Sequence, residues 1–408
     1  MPLNPVLVKR LIFFIFIALA VSLISLTSLK YTAGDFDVFY GASQHYMARA
    51  PVYQSNEGIE EFKYSPLFAL LFSPLTALSK NSALYVWTVL KIVSLFLIFY
   101  FLFKLKQFSF DHPKDLLIII GLFALTGRYV FLDFRLGQAN VLLCMLMVLT
   151  MYLEINERYF WASVVLAFSL MIKFFPLLFV FYFLLRRRFK LLAYTPLMVA
   201  VFLLLPSIYT GFSLNLRYLH DWFVLLRSSP PTLLYSVKNC SLLSYFSWIF
   251  VASHEQCTVI DYNLIKKGLV PWVYYAWGMS CFVFVASFFY KTFFDNEKDP
   301  QVVYLDYSCL FVLGLLFNPL AYLNALVFLL IPYFFILRYL FYSKPGREYL
   351  LLSGSFILVS FILTLFDNKV FFKDPYFFDF ILKFKLLMWA IIYVYLALLT
   401  LKYSIKLK

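Results

Sequence analysis

Two carboxylates sit one residue apart in Gly34-Asp35-Phe36-Asp37-Val38-Phe39-Tyr40, a few positions after the first long apolar run of the chain. A carboxylate inside hydrocarbon is costly, so a pair at the mouth of a membrane helix points to a water-facing site at the bilayer surface. That is where chemistry on a lipid headgroup takes place. A third charge follows the same logic. Lys173, in Ile172-Lys173-Phe174-Phe175-Pro176, interrupts an apolar stretch. An ammonium in such a place calls for an anion, which makes Lys173 the leading candidate for a phosphate contact; the plain alternative is a lysine that snorkels to the surface.

The elements that must carry these residues are membrane helices. Over 408 residues the chain is 63% hydrophobic, 22% aromatic and only 14% charged, with a mean hydropathy of +0.84. This is far too apolar for a water-soluble globule and predicts an all-α, polytopic transmembrane helical bundle in a single integral membrane domain. The net charge of +14 does not indicate a nucleic-acid partner, because Lys and Arg cluster at helix ends, where they set orientation and meet anionic lipid.

Twelve spans with both termini cytoplasmic are expected. The first, residues 11 to 29 behind Lys9 and Arg10, reads as a retained anchor, being longer than a signal-peptide core. Residues 30 to 65 read as a polar external loop, and 66 to 79, with Pro66 and Pro74, as a half-helix at the outer interface, so that a first external region covers 30–81. Spans follow at about 82 to 103 and 114 to 133, then a helix from Asn140 back to Glu154. The block 159 to 185 exceeds one span and breaks at Lys173 to Pro176, predicting a hairpin of two short helices ahead of the cytoplasmic marker Arg186-Arg187-Arg188. After a span at about 191 to 209 comes a second external loop, 210–268, with a short apolar piece at 242 to 252. The last spans fall near 269 to 290, 302 to 317, 322 to 341, 349 to 366 and 382 to 401.

Cys144, Cys281 and Cys309 lie in spans and read as packing residues, whereas Cys240 and Cys257 share the second external loop and are a disulfide candidate. His45, His112, His220 and His254 are isolated, so no metal-ligand spacing exists and no metal or other cofactor is expected. P-loop, dinucleotide and nucleophilic-serine motifs are absent, which removes support for nucleotide-driven transport.

Several motifs resemble, in order, those of glycosyltransferase family 87. They are Asp35-Phe36-Asp37-Val38-Phe39-Tyr40 ahead of a small-residue helix, Pro51-Val52-Tyr53, Tyr64-Ser65-Pro66-Leu67 with Pro74, and Gly137-Gln138-Ala139-Asn140 opening a helix. Ile172-Lys173-Phe174-Phe175-Pro176, Asn239-Cys240-Ser241 and Asn318-Pro319 complete the set. The resemblance covers most of residues 10 to 340 and implies a GT-C fold that uses a polyprenyl-phosphate sugar as donor, typically mannose, with a lipid or glycan acceptor. It implies that Asp35 is the general base, with Asp37 at the variable position; the alternatives are Asp37 as the base, or an ordinary loop carboxylate paired with a nearby Lys or Arg. The sequence Leu320-Ala321-Tyr322-Leu323-Asn324 departs from the family, which often has Trp and His after the late Asn-Pro.

Transfer from a lipid phosphate is chemically consistent with one base. The leaving phosphate needs little acid assistance, and attack from the opposite face of an oxocarbenium-like centre predicts inversion. On this reading Lys173 meets the phosphate, and Arg135 and Arg128 either join it or pair with Asp133. Gln138 and Asn140 bond sugar hydroxyls, or Asn140 caps its helix; Tyr64 and Tyr40 line the pocket or anchor at the interface. Asn239 and Ser241 belong to a covering loop or simply to a turn. The expected setting is a bacterial inner membrane with the site on its external face. Two rival classes are a flippase or transporter for lipid-linked saccharides, which should show related halves with broken helices, and a surface-polysaccharide polymerase or ligase, which should carry its key Arg or His later in the chain.

Overall fold

The computed structural model describes residues 34–53, 61–106, 113–227, 239–250, 270–294, 300–343, 345–366 and 384–406. Among the described residues the structure is all-α, and eight helices are long and apolar enough to cross a membrane. The expected span at 11 to 29 and Cys257, hence the proposed Cys240–Cys257 bridge, lie outside the described residues. The helices fall into two compact units, one of residues 1–117 and 128–229, the other of residues 118–127 and 230–408.

In the first unit, α1 is Gly34–Met47, a helix where the sequence suggested a polar loop. Asp35 and Asp37 lie in its first turn, where the helix dipole favours anions, and Phe36, Phe39, Ser43 and Tyr46 are buried at helical spacing. The stripe packs on α2, Pro66–Phe72, and on the 3-10 turn Ser73–Ala77 that follows it. Proline at the start of α2 costs nothing, because the first amides of a helix have no internal partner. Phe36, Phe39, Phe68 and Phe72 meet one another edge to face, and Trp87 from α3, Lys80–Lys106, closes the cluster.

Helix α4, Pro113–Leu136, ends at Gly137, whose φ of 65° is the left-handed stop that glycine adopts most easily. Then come α5, Asn140–Ile155, and α6, Tyr159–Ile172. The hairpin break occurs where expected: Lys173 is extended, and α7, Leu177–Leu185, starts after Pro176. At 14 residues α6 rises about 21 Å, short of a hydrocarbon core of about 30 Å. Its end therefore leaves Lys173 at a helix terminus where unpaired carbonyls and side chains can gather. Helix α8 is Phe189–Leu204, and α9 is the single turn Ser207–Thr210.

Helix α10, Phe212–Arg227, falls in the region read only as a loop, and it buries Asn215, Tyr218, Trp222 and Leu225 along one face. It is latched to the segment after α1: Tyr218 donates to the Ala50 carbonyl at 2.8 Å and Trp222 to that of Lys63 at 3.1 Å. From the turn ahead of α10, the Tyr209 hydroxyl donates to Met47 O at 2.9 Å, while Arg49 donates back to Tyr209 O at 3.1 Å.

The second unit contains α11, Leu242–Phe250, packed on α12, Val270–Phe294. It continues with α13, Pro300–Phe317, a 3-10 stretch Leu323–Leu329 running into α14, Leu330–Tyr342, then α15, Arg347–Phe366, and α16, Leu386–Lys406. The spans at Pro300–Phe317 and Leu323–Tyr342 are 78% and 72% buried, whereas Val270–Tyr290 is only 11% buried. Trp272, Tyr275, Met279 and Phe282 of α12 all point outward, which only a lipid solvent tolerates over so long an apolar surface. Inside this unit, Lys402 of α16 bonds Asp306 of α13 and Thr292 of α12, and all three are buried.

Candidate functional site

Within the first unit, three helix ends converge. The Gly137-Gln138 turn follows α4, Lys173 follows α6, and Asp35 opens α1. The amide nitrogen of Gln138 donates to Asp35 Oδ1. Its amide oxygen accepts from the Tyr64 hydroxyl at 3.1 Å and from Lys173 Nζ at 3.3 Å, so one amide joins a carboxylate to an ammonium. Lys173 also donates to Asn140 Oδ1 at 2.6 Å and sits 5.6 Å from the centre of the Tyr64 ring. Its hydrogen bonds therefore go to two neutral amide oxygens, and its charge is not cancelled by a contacting carboxylate. That is the state in which an ammonium best attracts an anion.

The parts are tied by main chain as well. Ser65 N donates to Met171 O at 3.3 Å, which couples the Tyr64 segment to the end of α6. Tyr53 donates to Tyr64 O at 2.9 Å, and burial holds the Tyr53 hydroxyl well above the usual tyrosine range, so it remains a donor. Gln138 is buried and Asp35 half-buried, a carboxylate that is held yet reachable.

Asp37 and Tyr40 have partners of their own. Asp37 forms an ion pair with Lys80 at 2.9 Å, both partly exposed. Tyr40 donates to Leu78 O at 2.9 Å and so anchors the 3-10 turn to α1. Arg128 and Arg135 are exposed on α4, and the ion pair of Asp133 is made with Lys91 instead. A carboxylate fully enclosed by helices needs a partner enclosed with it, and Lys91 on α3 is that partner.

Asn239 and Ser241 lie in the second unit and are fully buried. Asn239 Nδ2 donates to Pro319 O at 2.7 Å and Ser241 Oγ to the same carbonyl at 3.1 Å. The Ser241 hydroxyl also accepts from Ser244 N at 3.1 Å, capping α11. Lys385 donates to Asn239 O at 2.9 Å. These contacts fasten the Asn239-Cys240-Ser241 stretch to the Asn318-Pro319 turn. Among the described residues no three His, Cys, Asp or Glu side chains are grouped to hold a metal ion.

Two residues escaped the sequence reading. Trp87 Nε1 donates to Gly137 O at 2.8 Å, and Lys91 Nζ donates to Asp133 O at 2.7 Å. Lys91 could have been found by the argument applied to Lys173, since it too is a charge inside an apolar helix.

Fold and site together define an integral membrane protein of helical bundles that gathers a carboxylate, an amide and an ammonium at the ends of short helices. Residues 62–319 match glycosyltransferase family 87, and the chain belongs to that family. It is a membrane glycosyltransferase. Comparison with curated proteins gives no match. The matched stretch contains Tyr64, Gln138, Asn140 and Lys173 but begins after Asp35, which joins those residues through the Gln138 amide.

Proposed function

We propose that this glycosyltransferase takes a polyprenyl-phosphate monosaccharide as donor and passes the sugar to a hydroxyl of a lipid or glycan acceptor at the external face of a bacterial inner membrane. Mannose is the sugar the family resemblance favours. Asp35 removes the acceptor's proton as its oxygen attacks the anomeric carbon. The bond from that carbon to the phosphate oxygen breaks on the other face, the electron pair leaves with the polyprenyl phosphate, and the anomeric configuration inverts. Lys173 receives the phosphate charge. The reading calls for no metal or further cofactor. The single observation that carries it is the chain Asp35–Gln138–Lys173, which sets a base and a cation on either side of one amide.

The test is transfer by purified protein in nanodiscs, supplied with defined polyprenyl-phosphate sugars and scored for a new glycosidic bond, which a flippase would not form. Asp35→Asn, with insertion and thermal midpoint checked, is expected to lower kcat about a hundredfold to ten-thousandfold, the usual range for a lost general base. Near-normal transfer by the folded variant rules Asp35 out.

A further inference from the structure

We propose that Lys91 and Trp87 are positioning residues for the transfer, holding the Gly137-Gln138 turn so that the Gln138 amide meets Asp35 and Lys173 together. This inference rests on the reading of Asp35 as the base. The two residues are four apart on α3, hence on one face of the helix. That face meets the end of α4. Trp87 binds Gly137 O at 2.8 Å, and Lys91 binds Asp133 O at 2.7 Å. The same Asp133 carbonyl accepts Gln138 N at 3.1 Å, so the lysine and the main chain of the key glutamine share one acceptor. Lys91 Nζ also lies 3.0 Å from Asp133 Oδ2. The buried ion pair is thus tied to the carbonyl that holds the main chain of Gln138.

An ion pair with both partners almost fully enclosed, Lys91 at 1% and Asp133 at 0% side-chain exposure, is a poor way to stabilise a fold. Its desolvation offsets much of its attraction, and apolar residues of similar size often serve as well or better. What it does provide is direction. Gly137 is in the left-handed region at φ 65°, a turn that could settle in more than one way, and three α3-dependent contacts around it select one. A displacement of about 1 Å at a reacting group can reduce a rate about a hundredfold, so the selection matters for chemistry more than for stability.

The experiment compares the full-length wild type with Lys91→Met/Asp133→Leu in nanodiscs, measuring thermal midpoint, donor KM and kcat with a polyprenyl-phosphate sugar. The expected result is an unchanged or higher midpoint, donor KM within about threefold, and kcat lower by about tenfold to a hundredfold. Trp87→Phe, which keeps an aromatic ring but loses the donor to Gly137 O, should show the same split and serves if the double variant does not fold. A wild-type kcat in either folded variant overturns the proposal. A readout without turnover separates this inference from the functional reading. Asp35→Cys/Gln138→Cys, treated with a short thiol crosslinker beside single-cysteine controls, should link efficiently, and the yield should fall when Lys91→Met/Asp133→Leu is added. An unchanged yield overturns the positioning role even if no polyprenyl-phosphate sugar proves to be a donor.

Discussion

Replacing Gln138 by leucine removes the amide while leaving a side chain of similar bulk between Asp35 and Lys173. Gln138 donates to the Asp35 carboxylate, so it stabilises the ionised form. A hydrogen bond to a charged group contributes about 1.5–3 kcal/mol. Losing the donor should therefore raise the pH at which Asp35 ionises. Lys173 and Lys91, two ammonium groups whose charge favours the ionised acid, stay in place. The sign follows directly: with the protonated acid favoured, the acid limb of kcat/KM moves to higher pH. Well above the limb the base is present again, and kcat should recover to about the level of Lys91→Met/Asp133→Leu, roughly tenfold to a hundredfold below wild type. The assay is kcat/KM for the donor lipid from acid to mildly alkaline pH, on protein whose midpoint has been checked at each value. A limb that stays put while donor KM rises would mean that Gln138 binds the sugar, as its residue type first suggested. A limb that moves down would mean that Lys173 has reached Asp35 and paired with it; either result refutes the role of the amide as donor and spacer.

Lys173→Met should lower kcat/KM for the donor by about tenfold to a hundredfold, the scale of one charge-assisted contact, and an unaffected value in steady-state kinetics would return Lys173 to the status of a snorkelling residue. Asp37→Asn removes an ion pair that is partly exposed at both ends, 53% for Lys80 and 35% for Asp37, so transfer should stay within about twofold and stability within about 1 kcal/mol; a collapse of kcat would exchange the roles of the two carboxylates. Asn239→Ala deletes two buried hydrogen bonds, to Pro319 O and from Ser241 N. It should cost about 1–3 kcal/mol, seen as a lower thermal midpoint with kcat of the folded fraction unchanged, and a selective loss of kcat would restore a direct role for this loop.

Much of the architecture was legible because lipid imposes one rule on long apolar runs: backbone groups must be satisfied within the helix. The broken hairpin at Lys173 to Pro176 could be read from charge and proline alone, and it lies where it was expected. Helix α10 and the opening turns of α1 were not read, because each is short, half-polar and rich in the residue types of loops. Their signal is the buried spacing of Phe36, Phe39, Ser43 and Tyr46 in one and of Asn215, Tyr218, Trp222 and Leu225 in the other. At the site, Asp35, Tyr64, Gln138, Asn140 and Lys173 were each named from their types and come together in space. What residue types could not reveal was who holds whom. Gln138 turned out to bridge charges, and Asp133 took a lysine from another helix over the two arginines of its own. Pairings of that kind are decided by which helix faces meet, and local sequence does not encode them.

The union of Asp306 with Lys402 has a consequence for biogenesis. The two are 96 positions apart, so the acid enters the bilayer well before the amine that neutralises it has been synthesised. During that interval the nascent chain holds an acid at membrane depth before its ammonium partner exists, a costly arrangement in hydrocarbon. Docking of α16 on α13 is thus the step that brings Asp306 its ammonium partner, and Lys402→Met would let every helix be made yet leave that step without its charge pair.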